Sequence, residues 1–327
     1  MMARLWSRWA QFWFAPVSAR AVGVMRAALG LVLLGGYIAN FPDLVAMVGP
    51  NTGLSLEFAH GTYGDWSLHR RVGTDAALLA VQGGVMAVTA LFTVGLGGRA
   101  AGVATLLGQM SLYWANPAMM HGADRLLRLW TLFLLTVPCT RAFSVDAWIA
   151  RRRGRARPDT VPIFAHRLVQ LQLCWLYFSS ALDKAEGRTW QDGTAVYYAL
   201  LVEEYQRFPG WPTPEMLAGP LPLALIAVST WVALAWEGLF AFTVWPRRTR
   251  GPTLLVGLGV HAGISATLLV GLFSPATVWG YLAFLRPERL AAWGRGAAPS
   301  GTADAASGDR PAPPPDADRP AIQSSPQ

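Results

Sequence analysis

Seven apolar stretches, each close to the roughly 20 residues that cross a bilayer core of about 30 Å, constrain this chain more than anything else in it. They run over residues 21–41, 76–98, 100–116, 123–140, 162–183, 221–245 and 253–273, and a shorter one over 275–285 reads as an oblique span or a half-helix. Of the 327 residues, 53% are hydrophobic, 14% are charged and 15 are Trp, a composition outside the usual range for a soluble chain. The expected fold is therefore all-α: a polytopic integral membrane bundle of about eight transmembrane spans.

The ends differ from this body. Residues 1–20 interleave Trp6, Trp9, Phe12, Trp13 and Phe14 with Arg4 and Arg8, which predicts an interfacial amphipathic helix and not a cleaved signal peptide, because no small-residue cleavage site follows a short apolar core. Residues 21–290 form the membrane domain. Residues 297–327 are rich in Pro, Ala, Asp and Ser, the composition of a disordered tail.

Arginine placement orients the spans, since short loops rich in Lys and Arg stay cytoplasmic. With the N-terminus inside, the inner connections hold Arg99, Arg141, the cluster Arg151, Arg152, Arg153, Arg155 and Arg157, then Arg247, Arg248 and Arg250, with Arg286 and Arg289 after the last span. Both ends are then cytoplasmic, and a bacterial inner membrane suits the arginine bias. The net charge of +8 follows from topology, so the expected partner is the lipid bilayer and not nucleic acid.

Polar residues inside spans are costly and mark a cavity or a partner. Glu237 and His261 lie deepest, and read either as an internal hydrogen-bonded pair or polar network, or as a site. Arg26, Arg125, Arg128, Arg167 and His166 lie near span ends, where arginines commonly snorkel to headgroups. Gln82, Gln109, Gln170 and Gln172 are candidates for interhelical hydrogen bonds. Cys139 and Cys174 share no metal-type spacing, no metal site is expected, and no CxxC, HExxH, phosphate loop or GxSxG is present.

The outer end carries most of the remaining chemistry. His121 and Asp124 enter the fourth span, Asp183, Lys184 and Glu186 end the fifth, and Trp190, Gln191 and Asp192 open an outer amphipathic helix that includes Tyr197, Tyr198, Glu203 and Glu204. Of 27 Lys and Arg residues, Lys184 is the one lysine. Lysine can lose its proton and act as a base, whereas arginine stays charged.

Several patches resemble one family in order along nearly the whole chain: Arg167 through Gln172, Tyr177 through Lys184, Gly187, and Trp190 through Ala195; His121 to Asp124 and Glu237 to Phe240; then His261, Phe273-Ser274 and Tyr281 to Leu285. They are similar to the membrane domain shared by vitamin K-dependent gamma-carboxylases and bacterial "horizontally transferred transmembrane" (HTTM) proteins. The resemblance implies that Lys184 is the base that deprotonates a reduced naphthoquinone, with oxygen and carbon dioxide as co-substrates, and that His121 and His261 are catalytic companions. Asp124, Asp183, Glu186, Trp190, Asp192 and Glu237 would then line a substrate or cofactor cavity. A lysine acting as a base near pH 7 must fall from an ordinary pKa of about 10.4 through desolvation or nearby positive charge, a fall that Asp183 and Glu186 would oppose if they faced the amine.

Animal carboxylases carry a long lumenal domain where this sequence has a polar tail, so a small or lipid-like substrate or a separate partner protein is expected in place of a propeptide. The expected activity is a quinol-dependent carboxylase or epoxidase. A non-catalytic membrane scaffold or partner subunit is the alternative. A transporter comes third, because no internal repeat is evident.

Overall fold

The protein is described by a computed structural model over residues 1–50, 66–117, 121–155 and 158–293. Arg157 of the basic cluster and the 297–327 tail lie outside the described residues. Met1–Ala291 forms one compact unit, and Ala292–Gln327 is a second, described only as far as Trp293.

The chain opens with α1 (Met2–Phe14), a short strand β1 (Pro16–Ser18) and α2 (Ala19–Asn40), then α3 (Leu44–Val48), α4 (Asp75–Val94), α5 (Gly98–Ala115) and α6 (Gly122–Leu135). After α7 (Val145–Arg152) and β2 (Thr160–Pro162) come α8 (Phe164–Glu186), α9 (Arg188–Gln191), α10 (Ala195–Leu201) and α11 (Pro214–Leu217). The long α12 (Pro220–Thr243) and α13 (Arg247–Thr267) precede α14 (Phe273–Gly280), a 3₁₀ turn at Tyr281–Phe284 and α15 (Pro287–Ala292). The all-α expectation holds apart from β1 and β2, which pair antiparallel with Val17 opposite Val161.

Among the described residues three helices, not eight, combine the length and apolarity of a membrane span: α2, α4 and α12, with mean hydropathy of 1.8, 1.9 and 1.7. The other expected spans exist as helices but are diluted by polar groups or cut short. The segment at 123–140 is helical only over the 14 residues of α6, which carry Asp124, Arg125 and Arg128. Helix α8 includes His166, Arg167, Asp183, Lys184 and Glu186, and α13 begins with Arg247, Arg248 and Arg250. The 275–285 stretch divides between α14 and the 3₁₀ turn. The outer amphipathic helix is likewise divided, into α9, α10 and a 3₁₀ turn at Glu203–Tyr205, because Gly193 takes a left-handed φ of 79° against the ring of Trp231.

Local signals explain the ends of α4. Thr74 accepts the N–H of Ala77 at 3.2 Å, Asp75 sits in the first turn, and Gly95 closes the helix with φ 73°. A Cβ on Gly95 would strike the guanidinium of Arg26. That arginine does not snorkel: it is 1% exposed and donates to the Phe143 carbonyl at 2.7 Å, crossing to the turn before α7.

Two groups of helices share the core. Helix α2 packs on α4 and α4 on α5, while α8 packs most extensively on α12. They meet at α6 and α14, where Trp130 and Trp279 lie 4.8 Å apart and the Trp279 indole donates to the Met25 carbonyl at 3.0 Å. Three of the glutamines bond between elements: Gln109 donates to Thr131, Gln170 to the Ala283 carbonyl, and Gln82 meets His69.

At one end of the bundle, Asp146 of α7 binds the turn between α4 and α5, accepting from Gly97 at 3.2 Å and Gly98 at 2.8 Å. Replacing Asp146 with Ala removes both bonds and frees two backbone donors, with an expected loss of about 1–2 kcal/mol. The measurement is the thermal midpoint of the purified protein in detergent, and an unchanged midpoint would show that the turn does not depend on this carboxylate.

Candidate functional site

Helix α8 presents Tyr177, Ala181 and Lys184 at spacings of four and three, on one face directed to α12. Opposite them α12 places Trp236, Glu237 and Phe240. The helices close together where Gly238 meets Ala181, since a Cβ on that glycine would lie 3.6 Å from the alanine methyl.

This register carries Lys184 onto Glu237. The ammonium Nζ donates to Glu237 Oε1 at 2.5 Å and Oε2 at 2.6 Å, so both carboxylate oxygens are engaged. Nζ also lies 4.8 Å from the ring centre of Trp190, just past the end of α8, a cation–π distance. The Lys184 side chain is 26% exposed and that of Glu237 is 11% exposed. The pair is thus closed on the protein side and reachable from outside along the lysine.

Two turns further along α8, the Tyr177 hydroxyl is a branch point. It bonds His261 Nε2 at 2.8 Å and the Tyr281 hydroxyl at 2.9 Å, while His261 Nδ1 meets Thr277 Oγ1 at 3.3 Å. Tyr177, His261, Tyr281 and Thr277 are all buried. The Tyr177 ring packs 4.6 Å from both Trp236 and Phe240. Glu237 and His261, the two deep polar residues, take different partners and do not pair with each other. One apolar seam therefore carries two polar layers, an ion pair that is partly open and a sealed hydroxyl–imidazole network.

The remaining candidates lie elsewhere. Asp183 and Glu186 are exposed on other faces of α8, and neither is placed against the amine. Asp192 is exposed and accepts from Thr194, at 3.1 Å from N and 2.5 Å from Oγ1, holding the turn after α9. His121 and Asp124 start α6, the Asp124 carboxylate accepting the His121 N–H at 2.9 Å, a helix-capping geometry. Both line a cavity of about 310 Å³ with Tyr37, Gln109, Arg128 and Leu272 among its other walls. Lys184, Glu237 and His261 do not line it. The Tyr37 hydroxyl in that wall is buried without a hydrogen-bond partner.

Tyr177, Thr277, Tyr281 and Tyr37 were not singled out by sequence reasoning. Tyr177 and Tyr281 sit inside the quoted patches, where aromatic residues in apolar helices look like packing. Tyr37, in the first span, gives no signal in sequence.

Among the described residues the bundle has three helices long and apolar enough to cross a membrane, with polar side chains gathered in its seams. Residues 14–288 match the HTTM domain, so the chain belongs to the HTTM domain family. No curated protein and no solved structure matches the chain.

Replacing Tyr177 with Phe keeps the ring and removes two hydrogen bonds, leaving His261 and Tyr281 short of a partner, with an expected loss of about 1–3 kcal/mol. Glu237→Ala is expected to cost a similar amount by leaving the Lys184 ammonium uncompensated, and Lys184→Met combined with it should recover part of the loss. A double-mutant cycle on thermal midpoints checks both expectations, and additive losses at Lys184 and Glu237 would deny the coupling.

Proposed function

We propose that this protein is a membrane enzyme of the gamma-carboxylase type, in which Lys184 acts as a base on the outer face. The observation that carries this reading is the placement of the chain's one lysine. It is held by both oxygens of a carboxylate, covered by an indole ring, and left open along its own side chain at the end of an apolar seam. A purely structural cation at that position could be arginine, the residue used at every other basic position.

Two atoms are needed for the proton step. Transfer from Lys184 Nζ to a Glu237 oxygen leaves a neutral amine beside a neutral acid, and the amine can then accept a proton from a bound hydroxyl. Trp190 shields the amine from bulk water. The Tyr177–His261–Tyr281–Thr277 network fixes the seam beneath the pair, so Glu237 is presented in one orientation.

The cofactor of this reading is a reduced naphthoquinone, with oxygen and carbon dioxide as co-substrates. Such a ring would have to meet the amine on its open side, beside Trp190, because the cavity beside His121 and Asp124 is not lined by Lys184, Glu237 or His261. When bound, the quinol supplies the oxygen-reactive ring. The carbon acid that accepts carbon dioxide is a small or lipid-like molecule, or part of a separate protein.

In this reading the bundle crosses a bacterial inner membrane with both termini cytoplasmic, about eight times if the polar-seamed helices α5, α6, α8 and α13 and the short α14 span with the three apolar ones. The arrangement of the ends supports it. The α4–α5 turn, the Asp146 contact, the base of α8 and the last turn of α1 share one end, with Lys184 about 30 Å along α8 from Phe164 at 1.5 Å per residue.

A scaffold reading is favoured by the closure of the same pair, since a carboxylate that bridges its cation on both oxygens is also a clip between α8 and α12. The two are separated by epoxide formation from a reduced naphthoquinone under oxygen, with Lys184→Arg and Lys184→Ala beside the unaltered protein. The enzyme reading expects epoxide from the unaltered chain and a loss of about 100-fold or more in both variants. Folded protein that yields no epoxide in any form would reject the enzyme and favour the scaffold.

A further inference from the structure

We infer that α1 and α7 together form a docking surface for anionic phospholipid headgroups, at the end of the bundle opposite Lys184; the inference rests on the membrane placement above and not on catalysis. Helix α1 buries none of its residues. Stepping 100° per residue sets Arg4, Ser7, Arg8 and Gln11 in one polar stripe and Leu5, Trp6, Trp9 and Trp13 in a broad apolar arc. Trp6 is 68% exposed and Trp9 49%, with their rings stacked 5.2 Å apart.

The helix is nevertheless firmly placed. Arg167 donates to the Phe12 carbonyl at 3.0 Å and stacks on the Phe12 ring, Phe14 stacks on Phe164, and Ile163 donates to the Ala15 carbonyl at 2.9 Å. The paired strands β1 and β2 complete the clasp. Only residues 15–18 separate α1 from α2, a helix apolar and long enough to cross a membrane. The uncovered part of that arc, Leu5, Trp6 and Trp9, with Trp13 packed on Phe164, therefore lies at the level where that span meets water.

Helix α7 adds a second such surface at the same end, joined through the clasp and through Arg20, whose guanidinium lies 4.8 Å from the Phe143 ring. Ala147 and Ala150 face inward, while Trp148 is exposed beneath the guanidinium of Arg152 at 4.3 Å. Arg4, Arg8, Arg151, Arg152, Arg153 and Arg155 are all exposed. The nearby acids offset little of this: Asp146 is engaged by Gly97 and Gly98, and Asp159 stands alone at the clasp. Exposed indoles with flanking arginines fit the boundary between acyl chains and phosphate, and the sign of the charge selects anionic lipid.

The test uses the full chain in two measurements. Spin labels are placed at Trp9→Cys and, separately, Ser7→Cys in a Cys139→Ala, Cys174→Ala background, in phosphatidylglycerol nanodiscs. Label 9 is expected to be open to oxygen and closed to a water-soluble nickel chelate, and label 7 open to the chelate. Label 9 closed to both would mean that a second copy or another protein covers the face, and label 9 open to the chelate would mean that it faces water; either overturns the inference.

The second measurement titrates phosphatidylglycerol, phosphatidylcholine or inorganic phosphate into detergent-solubilised protein and follows the thermal midpoint. Phosphatidylglycerol alone is expected to raise it, with apparent affinity falling about fivefold for each of Arg8→Gln and Arg152→Gln. Equal effects of the two lipids, or an equal effect of inorganic phosphate, would overturn recognition of anionic lipid.

Discussion

The ion pair between Lys184 and Glu237 sets the terms for the seam in which it lies. Two charges in a membrane bundle are tolerated only when each satisfies the other, and the geometry that achieves this requires α8 and α12 to meet in a single register. A slide by one residue would rotate Lys184 about 100° away from Glu237 and would also separate Tyr177 from Trp236 and Phe240. The polar contacts thus specify an arrangement that apolar side chains alone would leave loosely defined, while the apolar side chains supply the dry surroundings in which the contacts matter. Gly238 and Ala181 permit the approach, and Gly280 serves the same purpose where Leu173 and Trp130 converge on α14.

Much of this was legible in the sequence, and the parts that were not have physical reasons. Apolar length identified α2, α4 and α12, and the singular Lys184 drew notice to the end of α8 that meets Glu237. Glu237 could be recognised as a costly buried acid, but its partner is 53 residues away, and helix periodicity says nothing about which faces of two distant helices will meet. His121 and Asp124 were expected beside Lys184 from topology and from the family resemblance; they line a cavity that Lys184 does not. Among the described residues only three of the expected spans are helices with the full length and apolarity of a crossing, because a run of apolar residues does not reveal where a helix breaks, as α6 does at Leu135, and polar groups dilute α8 and α13.

Strands β1 and β2 had no sequence signal at all. Each has three residues and one proline, too short for an alternating pattern, and their pairing is imposed by the packing of α1 against the base of α8. Arg167 is held by that packing, and Arg26 is buried instead between the Gly95 turn and Phe143, so both turn from the headgroups that such residues usually seek. Arg26 donates to the Phe143 carbonyl in the turn before α7, and Arg167 to the Phe12 carbonyl in the last turn of α1.

The clasp has a consequence for how the protein is made. Arg167 and Phe12 are separated by 155 residues, and at ordinary rates of synthesis the later partner emerges on the order of 10 s after the earlier one. Throughout that interval α1 lacks the contacts with Phe164 and Arg167 that hold it in the folded chain. The first helices, α2 to α6, must find one another while the N-terminus is still untethered. The pairing of β1 with β2 can form only after residue 162 is made, and that point precedes the synthesis of α8 and α12, so the clasp is in reach before the Lys184 seam exists.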